Sequence, residues 1–191
     1  HLFKHTPVSP ENIFAKLQLP VFVKPNNGGS SIGMSKVTTA DGLAPALEKA
    51  FKEDTQVLVE EFISGREFTI GVFKTKGSLQ VLPITEIETS NEFFDFEAKY
   101  QGKSVETTPA LIAETIQSQL EAAAKRVYEV LNCRGVVRID FIYNEQKGLP
   151  YMLEVNTVPG QSAASVIPQQ VKAMGVSLQD FYTSIVEESL N

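Results

Sequence analysis

A chain of 191 residues, 42% hydrophobic and 21% charged, has the composition of an ordinary globular protein, either one large domain or two small lobes, and is long enough to bury a core. A net charge of −6 argues against a general polyanion binder such as a nucleic-acid protein, although local lysines and arginines can still serve a small phosphate ligand. With only His1, His5 and Cys133 available, an internal disulfide, a Cys/His zinc site and a histidine-activated nucleophile in the body of the chain are all excluded.

The first residues lack a charged-then-apolar signal pattern, and no apolar run reaches the ~18 residues of a membrane span. The expectation is a cytoplasmic protein with no membrane and no nucleic-acid partner. After a tail containing Pro7 and Pro10, a short amphipathic helix is predicted over 11–17, and a strand over 21–24 behind Pro20. Residues 25–31 read Pro-Asn-Asn-Gly-Gly-Ser-Ser, a glycine-rich loop leading to a second strand over 32–37. This is not a Walker loop, because Lys24 precedes the glycines and no helix opens directly after them. Lys24 is either a phosphate partner or a strand-end lysine in solvent. Gly28, Gly29, Ser30 and Ser31 offer uncrowded N–H donors and hydroxyls that can wrap phosphate oxygens, but such a loop is also a common plain turn.

Thr39 is expected to cap a helix to about Phe51, with Leu43, Leu47 and Phe51 on one face. Strands follow over 56–62 and 67–73. The segment Glu60-Glu61-Phe62-Ile63 ends the first of these, and it either borders a nucleotide base, with a nearby carboxylate taking the ribose, or is solvated charge on a sheet edge. A turn at Lys76-Gly77-Ser78 and a short strand come next. Residues 91–100, rich in aromatics and charges, form a loop that is either a satellite hydrophobic cluster or a lid.

The longest predicted helix spans 113–131, with Ile116, Leu120, Ala124, Val127 and Leu131 at helical spacing, and Cys133 after it is expected to be a buried thiol. Two β-rich runs, 136–143 and 151–155, flank the turn-like stretch 144–148 and predict an antiparallel hairpin. Residues two apart share a strand face, so Arg138 with Asp140, and Glu154 with Asn156, can converge. Two carboxylates and an amide oxygen suit Mg²⁺; the bland alternative is a half-exposed polar sheet face. Helices over 168–174, stopped by Gly175, and from a Ser177 cap with Asp180 three residues on, complete the chain.

Taken in order, FVKPNNGGSSIGMSKV, VEEFISGREFTIGVF, FFDFEAKY, VVRIDFIY and LEVNTVPGQSAAS resemble the D-alanine-D-alanine ligases of the ATP-grasp family, from about Pro20 to the C-terminus. The resemblance implies an α+β ATP-grasp fold of two lobes with antiparallel sheets and flanking helices that clamp ATP. Residues 1–19 would be a tail with a short helix, 20–63 part of the central lobe, and 64–191 the C-terminal lobe with a lid over 91–107. It implies that Lys24 contacts the α- and β-phosphates, that Ser30 and Ser31 lie in the covering loop, that Glu60, Glu61, Phe62 and Ile63 border the adenine, that Glu67 takes the ribose and that Phe93 covers the base. Asp140, Glu154 and Asn156 would hold two Mg²⁺, or Mn²⁺ in their place. Arg138 and the Gly160 N–H would form an oxyanion hole, Lys99 would neutralise the transferring phosphoryl group, Ser165 would receive the second substrate's carboxylate, and Tyr100 with Ser30 would join a hydrogen-bonded group near the substrates.

The implied reaction makes D-alanyl-D-alanine through an acyl phosphate, for peptidoglycan precursor synthesis. Phe94 and Phe96 stand where the family often has tyrosines. Lys99-Tyr100 fits dipeptide formation rather than D-alanine-D-lactate synthesis. The family's N-terminal domain, with a glutamate for the first D-alanine, has no counterpart in these residues. The expectation is therefore an ATP-binding C-terminal portion, inactive alone, of a homodimeric enzyme. Two other readings are another ATP-grasp carboxylate-amine ligase and a noncatalytic nucleotide-binding module.

Overall fold

The computed structural model describes residues 1–6, 9–29, 31–89 and 104–190. They group into two compact units that divide between Ile63 and Ser64, the first formed by His1–Ile63 together with Thr89 and Ser104, and the second by Ser64–Glu88 with the chain from Val105 onward.

In the first unit β1 (Leu2–Phe3), β2 (Val21–Pro25), β3 (Ser35–Val37) and β4 (Gln56–Glu61) form an antiparallel sheet of order β1-β4-β2-β3. Strand alternation explains the packing. Val21 and Val23 point to one face, where with Val37 and Val57 they meet Ile13 of α1 (Pro10–Phe14) and Leu43, Ala46 and Ala50 of α2 (Leu43–Glu53). Phe22 and Lys24 are left on the opposite face. Residues 1–19, expected as a tail with a short helix, supply in addition a strand to this unit, and Ile13 of the helix joins its core.

The first helix is shorter than its sequence pattern: it ends at Phe14, where the Lys16 and Leu17 N–H groups both turn back to the Ile13 carbonyl. The second strand starts only at Ser35, because Ile32 and Met34 donate back to Gly29 and Ser31 and extend the loop. Thr39 makes no side-chain cap; a 3-10 turn at Ala40–Gly42 leads into α2 instead.

In the second unit β5 (Arg66–Thr75), β6 (Ser78–Val81), β7 (Thr85–Thr89), β8 (Ser104–Thr107), β9 (Val136–Asn144) and β10 (Leu149–Asn156) form a sheet of order β10-β9-β5-β7-β8, with β6 also paired to β5. Phe68, Ile70, Val72, Val137, Ile139 and Phe141 bury one face against Leu120, Ala124 and Tyr128 of α3 (Glu114–Val130). Phe73 and Leu82 pack instead with Ile167 and Val171 of α4 (Val166–Ala173) and Phe181 of α5 (Leu178–Ser189). The Ser177 cap forms as expected, accepting from the Asp180 N–H. α4 begins two residues before Pro168, which sits in its first turn where no N–H is missed. Cys133 is half-buried rather than buried, and burial pushes its thiol pKa up.

Strands β7 and β8 were not expected. Glu86 of β7 is buried, and its charge is matched by a two-pronged contact from Arg66, at 2.6 and 2.7 Å. The lid expected over 91–107 therefore ends in strand at Ser104–Thr107, and its residues 91–103 lie outside the described residues. No helix among the described residues is long and apolar enough to cross a membrane.

The start of β5 tolerates no side chain. A Cβ on Gly65 would lie 2.2 Å from the Tyr143 carbonyl oxygen and 2.8 Å from Cγ2 of Ile142, so Gly65→Ala pushes β5 off β9. Urea titration of this variant should show a loss of about 1 to 3 kcal/mol, as for other overpacked sites.

Candidate functional site

The polar face of the second sheet gathers the oxygen cluster. In the β9–β10 hairpin, closed by Gly148 N–H and Lys147 N–H donating to Asn144, Asp140 lies directly opposite Glu154, and Arg138 opposite Asn156. A β-bulge brings this about. Met152 pairs with Phe141, but the next pair is Glu154 with Asp140, so Leu153 is the extra residue. Had the register before Leu153 continued, Glu154 would face Ile139 and Asn156 would face Val137, on the apolar side.

On the other flank of β9, Thr69 stands opposite Asp140, and Glu67, on the same face of β5, pairs with Ile142. Arg138 donates to Asp140 through Nε at 3.0 Å and Nη2 at 2.8 Å, and the Thr69 hydroxyl donates to Asp140 Oδ1. Glu154 lies 3.9 Å from Arg138 and is the more exposed carboxylate, at 55% against 18% for Asp140. Burial pulls the Arg138 guanidinium down, but its hydrogen bonds to Asp140 and the charges of Asp140, Glu154 and Glu106 outweigh that and hold its pKa above the usual arginine value. The cation is permanent.

The donor set fits a hard cation. A carboxylate has about four acceptor positions; the Arg138 and Thr69 bonds take three of those on Asp140, leaving one on Oδ2. Asn156 Oδ1 accepts from the Val158 N–H at 3.1 Å and keeps a second lone pair. Among the described residues no group of three or more His, Cys, Asp or Glu assembles, so a cation here would rely on Asp140, Glu154, the Asn156 amide and oxygens of a bound phosphate.

In the first unit, the face opposite the core carries Phe22, Lys24 and Glu60, with Phe62 just beyond β4. Lys24 Nζ lies 2.7 Å from Glu60 Oε2, Lys36 sits 4.6 Å over the Phe62 ring, and the Phe22 and Phe62 rings are 6.0 Å apart. The Lys24–Glu60 pair is partly exposed and so worth at most about 1 kcal/mol. Glu61 is exposed at the strand end and Ile63 is half-buried.

The glycine loop is anchored at both ends and open at its tip. Asp54 accepts from the Asn27 N–H at 2.8 Å and Asn27 Nδ2 at 3.0 Å, while Lys49 donates to the Met34 carbonyl at 2.8 Å. On Gly29 a Cβ would meet nothing within 4 Å. The N–H of Asn27, then that of Gln56, hold the Asp54 carboxyl below its ordinary range. A depressed pKa means the anchor is complete above about pH 4 and is lost as pH falls through the lowered value. Asp54→Ala should therefore speed exchange of the Asn27 and Gln56 amides with solvent deuterium at least about fivefold, because their acceptor is gone. The effect, read by hydrogen-exchange mass spectrometry, should be constant between about pH 5 and 8 once the intrinsic pH dependence of exchange is divided out.

Gly160 and Ser165 come together. A Cβ on Gly160 would lie 2.7 Å from Ser165 Oγ, and that hydroxyl meets Ser162 Oγ at 2.9 Å just ahead of α4. Within the second unit, then, Arg138, Asp140, Glu154 and Asn156 cluster, Glu67 shares their sheet face, and Gly160 adjoins Ser165. Ser31 lies in the loop of the first unit. Ser30, Phe93, Lys99 and Tyr100 lie outside the described residues. Sequence reasoning missed Thr69 and Asp54; only Thr69 had a readable signal, its two-residue spacing from Glu67.

The family described as D-ala D-ala ligase C-terminus matches residues 2–187. The D-alanine–D-alanine ligase of Flavobacterium johnsoniae is 48% identical over the whole chain, which spans 58% of that relative's length. Among solved structures, the Bacillus anthracis D-alanine–D-alanine ligase complexed with ATP superposes with a TM-score of 0.82 at 30% identity, covering 99% of this chain and 58% of that one. The VanG D-Ala:D-Ser ligase from Enterococcus faecalis gives 0.81 at 35% identity, covering 93% and 51%.

Proposed function

Since the chain belongs to the D-alanine–D-alanine ligase C-terminal family, with two antiparallel sheets and flanking helices as in its ATP-grasp relatives, we propose that it is the nucleotide-handling portion of an ADP-forming ligase that joins two D-alanines. The observation that carries the reading is the in-register meeting of Asp140 with Glu154 and of Arg138 with Asn156 on one polar sheet face.

In this reading the carboxylate of the first D-alanine attacks the γ-phosphorus of ATP, giving an acyl phosphate and ADP. The amine of the second D-alanine then attacks the acyl carbon, and phosphate leaves. Lys24 exchanges Glu60 for the α- and β-phosphates, and the loop containing Ser30 and Ser31 covers the phosphates. Glu60, Glu61, Phe62 and Ile63 border the adenine, Glu67 receives the ribose hydroxyls and Phe93 covers the base. Asp140, Glu154 and Asn156 hold two Mg²⁺, which when bound neutralise phosphoryl charge.

Arg138, fixed in its fork by Asp140, stabilises charge developing on the acyl oxygen, with the Gly160 N–H as second donor. Lys99 contributes to the phosphoryl transfer, and Ser165, beside Gly160, takes the carboxylate of the second substrate. Tyr100 and Ser30 complete the hydrogen bonding near the amino acids. The remaining part of the enzyme, carrying the other contacts to the first D-alanine and the dimer interface, lies in the length that relatives have beyond this chain. The product would serve peptidoglycan precursor synthesis in the cytoplasm.

The test is Mg-ATP binding by the chain, followed by D-alanine-dependent phosphate release with the remaining portion of a relative supplied by fusion. Binding and D-alanine-dependent release support the reading. Release that is unchanged without D-alanine refutes it, and faster release with D-serine as acceptor reassigns the second substrate.

A further inference from the structure

The most deeply buried polar side chain of the second unit is Gln170, fully inaccessible in α4. Its position is set by a gap in the sheet. Along one edge of β5, β7 pairs with Glu67–Thr69 and β6 with Val72–Thr75, so the stretch between has no strand beside it, and there the Leu82 N–H, at 2.8 Å from the Gly71 carbonyl, leaves the Gly71 N–H and the Thr69 carbonyl to be met otherwise. Gln170 fills that gap with its amide. Its Oε1 accepts from the Gly71 N–H at 3.1 Å, and its Nε2 donates to the Thr69 carbonyl at 3.0 Å and to Thr85 Oγ1 at 3.0 Å. One side chain thus does what the N–H and C=O of a neighbouring strand would do. The orientation of the amide is dictated by its partners, since the Gly71 N–H requires an oxygen and the Thr69 carbonyl a donor.

Space enforces the same arrangement. A Cβ on Gly71 would lie 2.7 Å from Gln170 Oε1, 2.7 Å from Ile167 Cδ1 and 2.6 Å from Leu82 Cδ1. Thr69, whose backbone Gln170 holds, uses its own hydroxyl to donate to Asp140, and Asp140 in turn fixes Arg138. Five residues before Gln170, at the N-cap of the same helix, stands Ser165. Gln170 therefore ties the helix that Ser165 begins to the strand that orients Asp140.

We propose that Gln170 is a positioning residue that keeps the acceptor-binding segment at Ser165 in register with the Arg138–Asp140 pair; this deepens, and rests on, the ligase reading. It touches no substrate. Its contribution is to hold two groups that must serve one tetrahedral centre, and displacements on the order of 1 Å in such groups cost up to about a hundredfold in rate.

The experiment compares wild type with Gln170→Leu, and with Gln170→Met should the first not fold, in the fusion that supplies the remaining portion of the ligase. Expected are an acceptor D-alanine KM raised about tenfold, an ATP KM within about twofold of wild type, and non-additive losses of kcat when combined with Thr69→Val. Exchange of the Gly71 amide with solvent deuterium should speed at least about tenfold, because its acceptor is gone. Unchanged acceptor KM, or fully additive effects with Thr69→Val, overturns the proposal. Should wild type itself release no D-alanine-dependent phosphate, the ligase reading fails instead, and an unaltered Gly71 exchange rate would then separately dismiss the tether.

Discussion

In the fusion that supplies the remaining portion of a ligase, Arg138→Ala is expected to remove nearly all of the proposed ligation while leaving a folded chain, a drop on the order of 10² to 10³ in kcat, the usual cost of one donor to a developing oxyanion. The residue lies on the sheet face opposite the core of Phe68, Ile139 and Phe141, so its truncation leaves that core intact. What it leaves is Asp140 facing Glu154 without the cation that lies within 4.0 Å of both. Two like charges so placed repel, and a divalent ion relieves them, so Mn²⁺ affinity should hold or rise as turnover collapses. Arg138→Lys should rescue little, because an ammonium cannot reproduce the two-pronged contact through Nε and Nη2. Wild-type phosphate release from Arg138→Ala would remove this residue from the mechanism.

Asp140→Asn tests the other half of the pair and should fail in a different way. The amide keeps the shape but loses a charge that Arg138, Thr69 and the proposed cation all use. A metal contribution of several kcal/mol to charge stabilisation corresponds, at about 1.4 kcal/mol per tenfold, to a loss on the order of 10² to 10³ in kcat. Here Mn²⁺ affinity, read by electron paramagnetic resonance, falls with activity, which separates this variant from Arg138→Ala. Stability also drops. Breaking a fully buried pair costs about 3 to 5 kcal/mol; Arg138 and Asp140 keep 22% and 18% exposure, and about 1 to 2 kcal/mol is the corresponding expectation here. Unaltered Mn²⁺ binding by Asp140→Asn would place the cation elsewhere.

The hairpin that carries these residues was legible because two β-rich runs flank a turn-like stretch, and because two-residue spacing assigns Arg138 and Asp140 to one face. That Glu154 joins them was legible only in part. The spacing paired Glu154 with Asn156, but nothing in Tyr-Met-Leu-Glu-Val-Asn marks Leu153 as the residue the ladder skips. A bulge arises from pairing between strands, and local periodicity does not encode it. Gln170 was hidden for a related reason: an amide on a helix reads as surface, and only the gap between β6 and β7 makes its burial favourable. Strand β7 escaped because Thr-Glu-Ile-Glu-Thr places a carboxylate inside, where Arg66, 20 residues away in sequence, neutralises it.

The skipped residue at Leu153 has one more effect, on what this protein avoids. Among the described residues β10 has a neighbour on one side only, and it exposes Leu149, Met152 and Leu153, a sticky border to which a stray strand from another molecule could add. The irregularity breaks the even row of outward amides midway along that border, so an intruder finds a few matched partners and then loses step. The offset that aims Glu154 at Asp140 thereby also guards the fold against aggregation.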